Sequence, residues 1–140
     1  QCTKRNRRLV SCNTRKHYAC TTIKKGMEEM TEAANMENEI FELIAYGGNA
    51  RSLAYEALEA AEDYDFNKAD ELLKQSQEEL SHAHKTQTAL IQRELNGKTI
   101  EKSLLLIHAQ DHLMTAISEQ KLIEHMIKLI KKFKKEGENQ

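Results

Sequence analysis

Proline and tryptophan are absent from this sequence of 140 residues, glycine occurs five times, and aromatic residues make up only 5%. An all-β sandwich or barrel needs frequent turns and a supply of strand-forming aromatics, so these shortages all but exclude that class. Long apolar runs are missing too. The longest aliphatic stretch is Leu104 to Ile107, far short of the roughly 20 residues a membrane helix needs, and no insertion into a bilayer is expected. Cysteine is confined to Cys2, Cys12 and Cys20, and none follows Gly26. A cysteine-free body is compatible with a reducing cytosol and uses no disulfide.

What is present is charge, at 31% of residues with a net value of −1. The balance conceals a division. Residues 1–26 carry eight Lys and Arg and no acid; the remainder carries 13 Lys and Arg against 22 Asp and Glu, a net −9. The first segment shows no helical or strand period, and Leu9-Val10 is its only apolar pair. It lacks the apolar stretch a secretory signal requires and the C-x-x-C pair typical of a zinc site. A basic nucleic-acid-binding arm would suit its charge. The abrupt change of composition at Met27 favours a basic extension, non-native or disordered, at 1–26, in front of one domain at 27–140.

That domain reads as all-α. From Met36 an apolar stripe runs through Ile40, Leu43, Ile44, Ala50, Ala54, Ala57, Leu58 and Ala61 at helical spacing. Gly47-Gly48-Asn49 interrupts it. Two glycines cost roughly 2 kcal/mol in a helix interior, so the pattern predicts a kink or break there, with Asn49 able to cap a restart. Asp65 is the candidate N-cap of a second helix whose stripe is Ala69, Leu72, Leu73, Ser76, Leu80, Ala83, Gln87, Leu90, Ile91 and Leu95. Gly97 suits the left-handed position beyond its end. A third helix is predicted from about Ser103 to about Lys135, its last turns crowded with lysines that complement the helix dipole. Short links make neighbours antiparallel, which gives an up-down-up three-helix bundle.

The third helix carries more apolar surface than such a bundle can cover. Leu106, Ala109, Leu113, Ala116 and Ile117 form one packing side, yet Leu104, Leu105, Met114, Leu122 and Leu129 lie elsewhere around it. A helix apolar on nearly all sides is buried on nearly all sides, which implies self-association through the third helices.

The same helix bears His108, Asp111, His112 and Thr115 on one face shared with Leu104 and Leu122. A carboxylate on an apolar interface must be paired, protonated or bound to a cation, since burying it alone costs several kcal/mol. A hydrogen-bonded histidine beside a solvated aspartate would satisfy the pattern equally. His108-x-x-x-His112 has metal spacing but lacks the glutamate of a zinc protease. Glu79-x-x-His82 has no second copy, so a di-iron site is rejected. His82 and His84 diverge on their helix, His125 belongs to a solvated rim, and Ser76 and Gln87 read as polar packing positions. There is no phosphate-binding glycine loop and no basic stripe interleaved with aromatics, so no nucleic-acid surface is expected from 27–140.

The segment His108-Ala109-Gln110-Asp111-His112-Leu113-Met114-Thr115-Ala116, with Leu104-Leu105-Leu106-Ile107 before it, resembles the active-site segment of a known family. This is the lactose/cellobiose/chitobiose-type enzyme IIA component of the bacterial phosphoenolpyruvate-dependent sugar phosphotransferase system (PTS). Ile40 to Ile44, Gly48 to Leu58 and Ala83 to Ile91 agree with it, and the resemblance spans roughly residues 30–135. It implies a cytoplasmic phosphocarrier assembled as a homotrimer of three-helix protomers. The residue matching His108 takes a phosphoryl group from the histidine-containing phosphocarrier HPr and passes it to a cysteine of the IIB component. Asp111 would meet its two symmetry mates around a metal ion, taken as Mg²⁺, on the trimer axis. His112 is assigned a supporting role and Gln110 none. The sugar stays open among cellobiose, chitobiose and lactose. The alternative of another class is a non-catalytic helical-bundle adaptor whose histidine face only packs.

Overall fold

The computed structural model of the protein describes residues 7–98 and 100–138, and the side chains of residues 26–28, 30–98 and 100–137. These residues form three helices and no strand: α1 Arg7–Glu62, α2 Phe66–Leu95 and α3 Leu104–Glu138. The chain divides into two compact units, Gln1–Asn38 and Glu39–Gln140.

The second unit contains the bundle, and its cross-links establish the order of the helices. Between α1 and α2, Glu39 pairs with Arg93, Asn49 donates to Glu79 at 3.2 Å, and the Ser76 hydroxyl donates to the Ala50 carbonyl at 2.7 Å. Numbers rise on one helix as they fall on the other, so the two are antiparallel. Gln87 with Gln110 and Asp70 with Lys131 relate α2 and α3 in the same antiparallel sense. Gly47 beside Leu113, and Arg51 with Glu119 at 2.7 Å, align α1 and α3 in parallel. This is the expected up-down-up arrangement.

Each helix buries the stripe its spacing marked. Ile40, Leu43, Ala50, Ala54, Ala57 and Ala61 of α1 are buried, as are Ala69, Ser76, Ala83 and Leu90 of α2. Ile91 and Leu95 belong to the expected α2 stripe but are exposed, and Leu90 is the residue buried there. On α3 the packing side continues past the residues expected of it, through Ile123 and Ile127. From Ala50 onward the buried residues of α1 are all alanines, and small side chains let helix axes approach closely.

The expected break is absent: α1 runs uninterrupted through Gly47 and Gly48. Gly47 is itself buried and falls on the stripe between Leu43 and Ala50. A methyl group at Gly47 would meet the Cα of Leu113 at 3.7 Å, so this glycine sits where the α1 and α3 backbones approach each other. Tertiary packing offsets the propensity cost. Asn49 stays inside the helix and reaches across to Glu79 rather than capping a restart.

Helix ends follow the local rules. Asp65 caps α2 by accepting from the Lys68 amide at 3.1 Å. Gly97 takes φ +82 beyond its end. Ser103 accepts from the Leu106 amide at 3.2 Å and opens α3.

In the first unit, α1 is already helical from Arg7, although the sequence there shows no apolar period. Helix extends by one hydrogen bond per residue once nucleated and needs no buried face to do so. Thr31 returns its hydroxyl to the Met27 and Glu28 carbonyls. Residues 1–6, with Cys2, lie outside the described residues, as do the side chains of Cys12, His17 and Cys20.

Candidate functional site

The first turns of α3 hold the residues singled out from the sequence. His108 and Asp111 are exposed, and His112 is half-buried. The rings of His108 and His112 lie one helical turn apart, with centroids 5.7 Å apart and planes inclined at 59°. Residues four apart on a helix share a face, so both imidazoles line one patch. Ala109, Leu113 and Ala116, fully buried on the opposite side, fix the rotation of α3 that turns this patch outward.

The two histidines stand in different surroundings. His108 projects among exposed apolar neighbours, Leu104 and Ile107 before it. His112 leans back onto α1. Its Nδ1 has no accessible surface and no hydrogen-bond partner among the described residues. That atom faces Gly47, where an added Cβ would stand 3.5 Å from it, and a Cβ on Gly48 would stand 3.7 Å from the ring Cε1.

Asp111 presents its carboxylate to solvent, with no side-chain partner among the described residues. Thr115, on the same face, returns its hydroxyl to the backbone carbonyls of Asp111 and His112 at 2.9 and 3.0 Å. Gln110, for which the sequence suggested no role, points to the other side of α3 and accepts from Gln87 of α2. The other histidines whose side chains are described are exposed: His82 stacks on Tyr46 with centroids 5.4 Å apart, and His84 and His125 face solvent. Within one chain the described residues hold no group of three or more metal-binding side chains.

Beyond the histidines the same face of α3 continues as one exposed line. Leu104, His108, Asp111, Thr115, Ser118, Leu122, Met126, Leu129 and Phe133 recur at spacings of three and four, and all are exposed. Leu104 is 82% and Phe133 65% accessible. The line's apolar members, Leu104 and then Leu122, Met126, Leu129 and Phe133, mark a contact surface. Met126 and Phe133 had not stood out in the sequence, because a lysine-rich stretch surrounds them. The role of Gly47 was also legible in principle, since it occupies a stripe position, but glycine carries no apolar signal.

No described helix is long and apolar enough to cross a membrane. Residues 38–131 match the family model described as PTS system, lactose/cellobiose-specific IIA subunit. The chain is 47% identical over 92 residues to the lactose-specific EIIA component of Staphylococcus epidermidis, covering 66% of this chain and 88% of that one. It is similar in structure to the cellobiose-specific enzyme IIA of Bacillus anthracis, with TM-score 0.68 at 47% identity, over 70% of this chain and 90% of that one. It is also similar to a chain of the IIA(chitobiose)–HPr complex of Escherichia coli, with TM-score 0.63 at 42% identity, over 70% and 95% of the two.

Proposed function

The chain belongs to the lactose/cellobiose-specific IIA family of the sugar phosphotransferase system, and from that premise we propose that it carries a phosphoryl group on His108, between phospho-HPr and the IIB component. The observation that carries this reading is the exposed His108 ring on a rigid helix, 5.7 Å from a second imidazole that α1 holds in place. The E. coli relative forms a complex with HPr, which supports HPr as the donor here.

In the transfer, the lone pair of His108 Nε2 attacks the phosphorus carried on the donor histidine. The donor P–N bond breaks, its electron pair returns to the donor imidazole, and a phosphohistidine forms on this chain. The reverse chemistry delivers the group to a cysteine thiolate of IIB, where an S–P bond replaces the N–P bond. Neutral imidazole is both nucleophile and leaving group near neutral pH, and phosphoryl transfer asks chiefly for positioning and charge stabilisation. Leu104, Leu105 and Ile107 give both partners an apolar rim around the acceptor. The phosphorylated cargo is a disaccharide of the cellobiose, chitobiose or lactose class, and the carrier works in the cytoplasm.

Asp111 and the apolar residues beyond it on the exposed line, Leu122, Met126, Leu129 and Phe133, support a homotrimer in which three such faces meet and His108 stays at the rim. A three-fold axis brings identical residues together, and Asp111 lies on the line. Three carboxylates at one axis repel. The chemistry of this donor set, an unpaired oxygen ligand from each chain, fits a hard divalent cation such as Mg²⁺. When bound, the ion would neutralise that repulsion and fasten the trimer.

The test is incubation with phosphoenolpyruvate, enzyme I and HPr, followed by detection of an acid-labile phosphoryl group. The wild type should take up one group per chain and pass it to IIB, and His108→Gln should take up none while remaining folded. Failure of the wild type to accept phosphate would favour the adaptor. Uptake by His108→Gln together with its loss in His112→Ala would exchange the roles of the two histidines.

A further inference from the structure

We infer that Gly47 and Gly48 are positioning residues for His112: they seat its ring against α1 so that Nδ1 is closed off and Nε2 carries the ring proton outward, toward the group held on His108. The inference rests on the phosphocarrier reading for its purpose, though not for its geometry.

Two adjacent glycines in the middle of an uninterrupted helix require a reason, since each is less favourable there than alanine by about 1 kcal/mol. No left-handed φ calls for them; the only positive-φ glycine among the described residues is Gly97. No break in the helix uses them either. What they do is leave room. The other small positions of the α1 stripe are alanines, at 50, 54, 57 and 61. At Gly47 a methyl group would already stand at van der Waals contact with both His112 Nδ1, at 3.5 Å, and the Leu113 Cα, at 3.7 Å. The two methyl groups of a valine there would enter the space of the imidazole and of the α3 backbone, whereas a single hydroxyl could hydrogen-bond to Nδ1. Gly48 bounds the ring at its Cε1 atom, 3.7 Å from where its own Cβ would be. The ring of His112 therefore lies in a shallow seat made of glycine backbone.

The seat also selects a tautomer. A neutral imidazole carries one N–H and one bare nitrogen. At Nδ1 the surroundings offer neither water nor a partner among the described residues. A buried donor without an acceptor forfeits a full hydrogen bond, whereas a bare acceptor is the lesser defect. The proton is accordingly placed on Nε2, the nitrogen left outside the seat. An N–H at that position is the group a phosphoryl oxygen on the neighbouring ring can accept from. With Nδ1 protonated instead, His112 would present a lone pair to an anion and oppose the transfer.

The experiment is long-range ¹H–¹⁵N NMR of the histidine-labelled full chain at about pH 8.5, where imidazole is neutral, with phosphoryl uptake rates measured beside it. His112 in the unphosphorylated wild type should show the Nε2–H pattern. Gly47→Val should lose that pattern and slow uptake as much as His112→Ala does, on the order of tenfold or more. The double variant Gly47→Val/His112→Ala should be no slower than His112→Ala alone. Gly47→Ser, whose hydroxyl can donate to Nδ1, should recover the Nε2–H pattern and most of the rate lost in Gly47→Val. A wild-type ring protonated on Nδ1 would overturn the inference. So would a Gly47→Val effect that persists undiminished when His112 is absent. Because the tautomer is read without phosphate, these outcomes are separate from the fate of His108→Gln, which tests the phosphocarrier reading itself.

Discussion

Gln87 of α2 donates its side-chain amide to the side-chain carbonyl of Gln110 of α3, on the side of α3 turned about 160° away from His108. The bond ties the helix that carries the acceptor histidine to its antiparallel neighbour. It gives Gln110 a structural task inside an otherwise chemical motif, and it places a satisfied polar pair at the edge of the core.

Gln110→Ala should lower unfolding free energy by about 1–2 kcal/mol, because Gln87 is left half-buried without its partner. Urea denaturation followed by circular dichroism reads this. Phosphoryl uptake should stay within a few-fold of wild type. A loss of uptake comparable to that of His108→Gln, in a folded variant, would place Gln110 in the chemistry instead.

Asp111→Leu should preserve the trimer, since apolar packing replaces three like charges, and Asp111→Lys should dissociate it. Removing divalent cations with a chelator should destabilise the wild-type trimer and leave Asp111→Leu unaffected. Sedimentation in the two conditions separates these outcomes; a wild type that is monomeric throughout would remove the axial role of Asp111.

Glu124 gives a pH-dependent contribution. The hydrogen bond from Lys128, assisted by Lys121, holds its carboxyl below the ordinary 4.5. A carboxyl depressed in the folded state adds stability above its unfolded value and loses it as pH falls through the folded one. Glu124→Gln should therefore cost less than about 1 kcal/mol at pH 7, as expected of a solvent-screened pair. The cost should shrink as pH falls below 4.5 and vanish once the folded carboxyl is protonated. Urea midpoints at pH 7 and along an acid series check the sign.

A chain beginning at Met27 should retain the oligomeric state, melting temperature and phosphoryl acceptance of the full chain. The family match starts at residue 38 and the bundle unit at Glu39. A large loss in any of the three measurements would make the basic segment part of the working protein.

Uptake from phospho-HPr should slow as salt rises. Residues 27–140 carry a net −9, which attracts a basic donor surface and is screened over roughly 10 Å at 0.1 M salt. An uptake rate that does not change with ionic strength would argue for a neutral docking surface.

The sequence by itself determined the three helices, their caps at Asp65 and Gly97, and the face that carries His108, Asp111 and His112. Each of these depends on spacing along one helix or on chemistry within a few residues. The His108 motif was legible for the same reason, because its residues are contiguous. Only the tertiary structure decided what depends on two helices meeting. Gly47-Gly48 reads locally as a break, since propensity counts the cost of glycine and not the clearance it gives a ring from another helix. Gln110 has no sequence neighbour that reveals Gln87 as its partner. The exposed line through Met126 and Phe133 emerged once packing had shown which side of α3 the bundle covers, and therefore which side it leaves uncovered.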